Sequence, residues 1–213
     1  MGKVHSLFDV TGTVGEYVFY TLNGQQIMRK KPAKKKGPKI PPHLNVQQQN
    51  SEFGRASSAG KTLRLAFAEE CRSINDSYLY QRISQLMLQI KKYDPAPLGL
   101  RTVSGGLSTK EGQTLFSQFH FQKKQNNHPK LKSVKTEKGL LHCEFFSSTT
   151  TPYSLTEIQI NFETGDFRRA QLLFPDPIPG SNMVVRKCFR RKKGYAEFVL
   201  ISGDGFLQGT VIG

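Results

Sequence analysis

Residues 154–174 read SLTEIQINFETGDFRRAQLLF, two extended runs separated by Thr164-Gly165-Asp166. In the first run Ile158, Ile160 and Phe162 recur at every second position, the spacing at which strand side chains share one face. The pattern predicts an antiparallel pair joined by a hairpin turn. It continues outward through 140–146, 183–190, 195–201 and 207–212, with Lys193-Gly194 and Gly203-Asp204-Gly205 as further turn signals. An antiparallel sheet or small sandwich burying Ile158, Ile160, Phe162, Phe198 and Leu200 is expected.

Upstream of residue 122 the period lengthens. Phe53, Ala56, Gly60, Leu63, Phe67 and Ile74 fall three, four or seven residues apart, which predicts one core-facing helical stripe over 46–74. Asn75-Asp76 interrupts it, and Leu79, Ile83, Leu86, Ile90 and Tyr93 renew it until Asp94-Pro95. The two form an αα-hairpin. A third helix is expected from Ser108, capped reciprocally with Glu111, to about Phe119. Residues 10–31 read as a β-hairpin: Val14, Val18 and Tyr20 lie on the outgoing run, Asn23-Gly24 makes the turn, and Gly12 and Gly15 mark a bend. Helices and strands are segregated rather than alternating, which disfavours a parallel sheet. The expected class is α+β, with a β-hairpin, basic arm and helical unit over 1–121, a polar linker over 122–138 and an antiparallel β unit over 139–213.

Charge supplies the functional clue. The 213 residues carry 31 Lys and Arg against 16 Asp and Glu, a formal net charge of +15. A surplus of that size repels itself in the folded state and points to a partner of opposite sign. It is not evenly spread. Arg29, Lys30, Lys31, Lys34, Lys35, Lys36 and Lys39 are interrupted by Pro32 and Pro38, and Pro41-Pro42 follow; missing amide donors and like charges rule out a helix there. Arg186, Lys187, Arg190, Arg191, Lys192 and Lys193 form a second cluster. No acidic residue interrupts either one. Such crowding favours counterion release on a polyanion, so these thirteen residues are the expected nucleic-acid-binding site.

Other chemistries find little support. The stretch from Gly54 to Thr62 resembles a phosphate-binding loop but has five residues between its glycines and no apolar strand ahead of it; helix packing explains Gly60 better. There is no nucleophile elbow, and the sparse carboxylates read as surface partners of nearby basic residues. Cys71, Cys143 and Cys188 lack the spacing of a zinc site or a disulfide framework and read as buried thiols. Cys143 and His142 are strand neighbours facing opposite ways. No catalytic residue, metal or cofactor is expected, nor a membrane span. Without an apolar leader over residues 1–10 the protein is expected to be cytoplasmic.

The run Gly12-Thr13-Val14-Gly15 through Val18-Phe19-Tyr20 and Leu22-Asn23-Gly24 to Arg29, Lys31 and Pro32, with Phe53-Gly54, Ala56-Ser57, Lys61 and Leu63-Arg64 after it, resembles a family of uncharacterised basic proteins from Bacteroidetes. Gly99-Leu100-Arg101-Thr102-Val103 belongs to the same pattern. The resemblance covers roughly the first 120 residues. It implies a source and a shared N-terminal architecture, and brings no activity, cofactor or site residue with it. Two function classes follow from the sequence: a non-enzymatic, sequence-independent nucleic-acid or polyanion binder, or a structural or assembly subunit, surface- or phage-derived, that acts through protein contacts or self-association.

Overall fold

Asn23 and Gly24 both adopt positive φ, 52° and 74°, the backbone of the two-residue turn that matches strand twist. They join β3 (Tyr17–Leu22) to β4 (Gln25–Lys30), with β2 (Gly12–Val14) and β1 (Gly2–Lys3) flanking them in the order β1-β4-β3-β2. The computed structural model describes residues 2–3, 10–33, 41–74, 76–122, 131–146, 153–174, 182–203 and 206–212. The chain forms two compact units, 1–41 and 42–213, and the small sheet is the first.

The second unit is built in layers. Its helices are α1 (Leu44–Ala66), α2 (Ala68–Arg72), α3 (Leu79–Ile90), α4 (Val103–Leu107) and α5 (Lys110–Ser117), with a 3-10 turn at Lys91–Tyr93. Its strands are β5 (Leu131–Glu137), β6 (Leu140–Phe145), β7 (Tyr153–Ile160), β8 (Phe167–Phe174), β9 (Asn182–Arg186), β10 (Ala196–Gly203) and β11 (Phe206–Ile212). They make one sheet ordered β11-β10-β7-β8 and another ordered β5-β6-β9, all pairs antiparallel. The fold is α+β.

The four-stranded sheet is the middle layer, because alternate residues of β7 and β10 belong to different cores. Ile158, Ile160, Phe198 and Leu200 pack with Leu63, Phe67, Met87, Phe116 and Phe121 of the helical side. Leu155, Val199 and Ile201 pack with Leu141, Cys143 and Phe145 of the three-stranded sheet. Phe67 lies edge-on to Phe116 and Phe198, with centroids 6.3 and 5.7 Å apart, the arrangement the ring quadrupole favours.

Several expectations change. Helix α1 ends at Ala66, and Phe53 is 56% exposed while its neighbour Glu52 is buried. Glu52 Oε2 accepts from Lys91 Nζ at 2.7 Å and Oε1 from the Gly99 amide at 2.7 Å, so Glu52 takes the buried place expected of Phe53, while Ala56, Gly60, Leu63, Phe67 and Ile74 are buried as expected. Tyr93, like Phe53, is exposed. The third helix is capped by Thr109, whose hydroxyl accepts from the Gly112 amide, and a separate α4 precedes it, capped by Thr102. Residues 131–137, polar enough to read as linker, are strand β5. Lys193-Gly194 is a turn but closes no hairpin, since β9 pairs with β6 and β10 with β7 and β11. The loop-like stretch from Gly54 to Thr62 lies inside α1.

Gly60 faces α3, where an added Cβ would lie 3.6 Å from Met87 Cγ, an ordinary contact. At Gly106 it would lie 2.1 Å from the Ile90 carbonyl oxygen. Gly60→Ala should therefore leave stability unchanged or raise it by up to about 1 kcal/mol through helix propensity, whereas Gly106→Ala should cost about 1–3 kcal/mol by overpacking. Urea denaturation of the two variants checks both signs.

Candidate polyanion-binding surface

The second basic cluster occupies the end of β9 and the connection to β10, and side chains of the middle sheet hold that connection in shape. Glu157 and Gln159 on β7 and Glu197 on β10 are buried on the face opposite the helices. Glu157 accepts the Cys188 amide at 2.6 Å and the Phe189 amide at 3.2 Å. Gln159 donates from Nε2 to the Arg190 carbonyl at 2.9 Å and to Glu197 Oε1 at 2.6 Å. Its Oε1 accepts two bonds from the Arg168 guanidinium, at 3.0 and 2.7 Å. That guanidinium also lies over the rings of Phe189 and Tyr195, 5.2 and 5.8 Å from their centroids. The Lys187 amide bonds the Gly139 carbonyl at 2.9 Å.

This network sorts the cluster. Lys187 turns inward, its Nζ 2.5 Å from Glu197 Oε2 with both side chains buried, so it is a structural cation and drops out of the expected contact surface. Arg186, Arg190, Arg191, Lys192 and Lys193 are exposed. Among the described residues no carboxylate lies within ion-pair distance of these five. Lys192 rests 4.3 Å from the centroid of the Tyr195 ring. Arg186, Arg190 and Arg191 line one groove with Lys138 and Lys187.

In the first unit Arg29 lies over Tyr20, 5.7 Å from its centroid. Lys30 pairs with Glu16 at 3.0 Å, both well exposed, a contact that contributes little in water. Lys31 is exposed and its amide donates to the Glu16 carbonyl at 2.7 Å. Lys34, Lys35, Lys36 and Lys39 lie outside the described residues.

The sequence reading placed the carboxylates on the surface, and here the structure differs: Glu52, Glu70, Glu157 and Glu197 are all buried. The signal for two of them was in the strands, where Glu157 and Gln159 alternate with Ile158 and Ile160. Burial pushes the Glu157 carboxyl above its ordinary range, against the pull of the Cys188 and Phe189 amides and Lys187 and with a further push from Glu197. Burial raises the Cys71 and Cys143 thiols to about 12. Cys188, expected to be buried, is exposed.

Among the described residues no group of three or more His, Cys, Asp or Glu side chains is placed to hold a metal ion, and no helix is long and apolar enough to cross a membrane. Compared with known protein families, curated proteins and solved structures, the chain finds no match.

A carboxyl whose folded pKa is raised binds its proton more tightly in the native state, so its contribution to stability falls as pH rises from the unfolded value through the folded one. Glu157→Gln removes that titration. The stability of the wild type relative to the variant should fall as pH rises above the ordinary glutamate range of about 4, read from urea midpoints at each pH. A flat or rising difference would show that Glu157 titrates normally.

Proposed function

We propose that this chain is a non-enzymatic protein that binds nucleic acid without sequence preference, through the β9–β10 connection and the basic stretch that begins at Arg29 in β4. The observation that carries the reading is the exposed set Arg186, Arg190, Arg191, Lys192 and Lys193 on a backbone pinned at Cys188, Phe189 and Arg190. A pinned loop presents its cations without first paying to order its main chain. The charges are unneutralised by described carboxylates, so a phosphate backbone gains both ionic contact and released counterions there. The arm adds Arg29, Lys30, Lys31, Lys34, Lys35, Lys36 and Lys39 in sequence. The contacts are assigned to phosphate rather than to base edges, because charge is what the two clusters share.

Log affinity for duplex DNA should fall linearly with log salt, by about 0.9 per phosphate contact. Replacing Arg190, Arg191 and Lys193 together by Gln should flatten that slope by about 2–3 units, and replacing Lys34, Lys35 and Lys36 by Gln should do the same. The Arg190, Arg191 and Lys193 variant should keep the wild-type circular dichroism spectrum, because these exposed side chains carry no core. Slopes unchanged in both variants would remove both clusters from the site, and no binding at low salt would overturn the reading.

A further inference from the structure

Two strand edges face a common groove. β8 is the last strand of the four-stranded sheet and β9 the last of the three-stranded one. Residues 172–174 of β8 and 185–186 of β9 line the same cavity, about 1130 Å³ in volume. On the opposite side the sheets are stitched by a side chain. Gln208 of β11 accepts the Leu131 amide at 2.8 Å and donates to the Leu131 carbonyl at 3.1 Å, as a neighbouring strand would. Among the described residues no strand pairs with the outer edge of either β8 or β9.

The lining has two chemistries. Leu140, Leu172, Leu173, Phe174, Val185 and Phe189 are apolar, and Leu173 is 75% exposed. Lys138, Arg186, Lys187, Arg190 and Arg191 are basic, and no carboxylate is among the described lining residues. We propose that this groove binds an extended acidic peptide segment of a partner protein, which adds as a strand to the open edges and sets its carboxylates against Arg186, Arg190 and Arg191.

Each part of the lining selects that occupant. The edges of β8 and β9, unpaired among the described residues, offer alternating donors and acceptors that only another peptide backbone satisfies in register. A nucleic acid supplies phosphates for the arginines but no such ladder, and leaves the apolar floor without a partner. A second copy of the chain would bring the exposed Arg186 of its own β9 against the same cations. In the peptide, alternate residues point to opposite sides, so apolar and acidic residues in alternation match floor and rim. The site stands independently of the nucleic-acid reading. Where that reading holds, peptide and nucleic acid contend for the same arginines.

The test uses the full chain and a fluorescein-labelled peptide of about nine residues alternating valine and glutamate, a length that matches a short added strand. Fluorescence anisotropy should show saturable binding, weakened at least about tenfold by the exposed-residue variant Arg186→Glu/Arg190→Glu. The same peptide N-methylated at alternate residues, which keeps charge and apolarity but removes amide donors, should bind at least about tenfold more weakly. Hydrogen exchange should slow within residues 171–174 of β8 and 183–186 of β9 when the unmodified peptide is added. Equal binding of the N-methylated peptide, or of one alternating valine and lysine, would overturn the proposal. So would protection of those amides by an oligothymidylate instead, which assigns the groove to nucleic acid, or by raised protein concentration alone, which assigns it to a second copy.

Discussion

Strand β7 is buried at all eight of its positions, and its polar side chains therefore have no water to turn to. A buried polar group without a partner costs about 1–3 kcal/mol, so each of these side chains has to find one, and each choice ties down another part of the molecule. Ser154 meets the Ser202 hydroxyl at 2.8 Å. Thr156 donates to Glu70 of α2 at 2.8 Å, and Glu70 in turn pairs with Arg169 of β8 at 2.7 Å. Glu157 and Gln159 reach the other way and take hold of the β9–β10 connection. One strand thus fixes a helix on one side of the sheet and a basic loop on the other.

The same burial explains why a protein with a large cationic surplus holds several of its few carboxylates inside. Glu52, Glu157 and Glu197 each receive main-chain amides, a lysine or a side-chain amide. Asp94 accepts the Ala96 and Thr102 amides at 2.9 and 2.7 Å and the Thr102 hydroxyl at 2.9 Å; burial pushes its carboxyl up, but these donors and Arg101 bring it below its ordinary range. Negative charge spent on internal scaffolding is not available to screen the outside. Among the described residues no carboxylate pairs with the exposed arginines and lysines near residue 190, and their concentration follows from the packing as much as from the count.

The α+β class was legible because two periodicities, near four and two, occupy separate stretches of the chain. Finer features depended on information that local pattern does not carry. Alternating Glu and Gln in β7 look like a solvent face, and only the three-stranded sheet beyond them reveals the burial. β5 is half-exposed and polar, with the pattern of an edge, so it lacks the apolar alternation that marks a strand. Phe53 and Glu52 differ by one position around a helix, and the choice between them was made by Lys91 and Gly99, far along the chain. Gly194 does adopt positive φ, 80°, so the turn was read correctly; which strands it separates is a matter of topology. Of the expected site, the basic residues themselves were plain in the sequence, but the inward turn of Lys187 was not, since its partner Glu197 lies ten residues away on a different strand.

The anchors beneath the β9–β10 connection grip main-chain atoms: the amides of Cys188 and Phe189 and the carbonyl of Arg190. Main-chain groups are the same whatever side chain they carry. The loop's path is thus encoded on β7 and β10, while the identity of its outward residues is left nearly unconstrained by folding. Substitution there rewrites the chemical face of the protein without asking the fold for anything, whereas an insertion or deletion shifts every amide out of reach of its carboxylate. A surface of this kind can exchange one recognition chemistry for another over successive mutations and stay folded at each step, provided its length is kept.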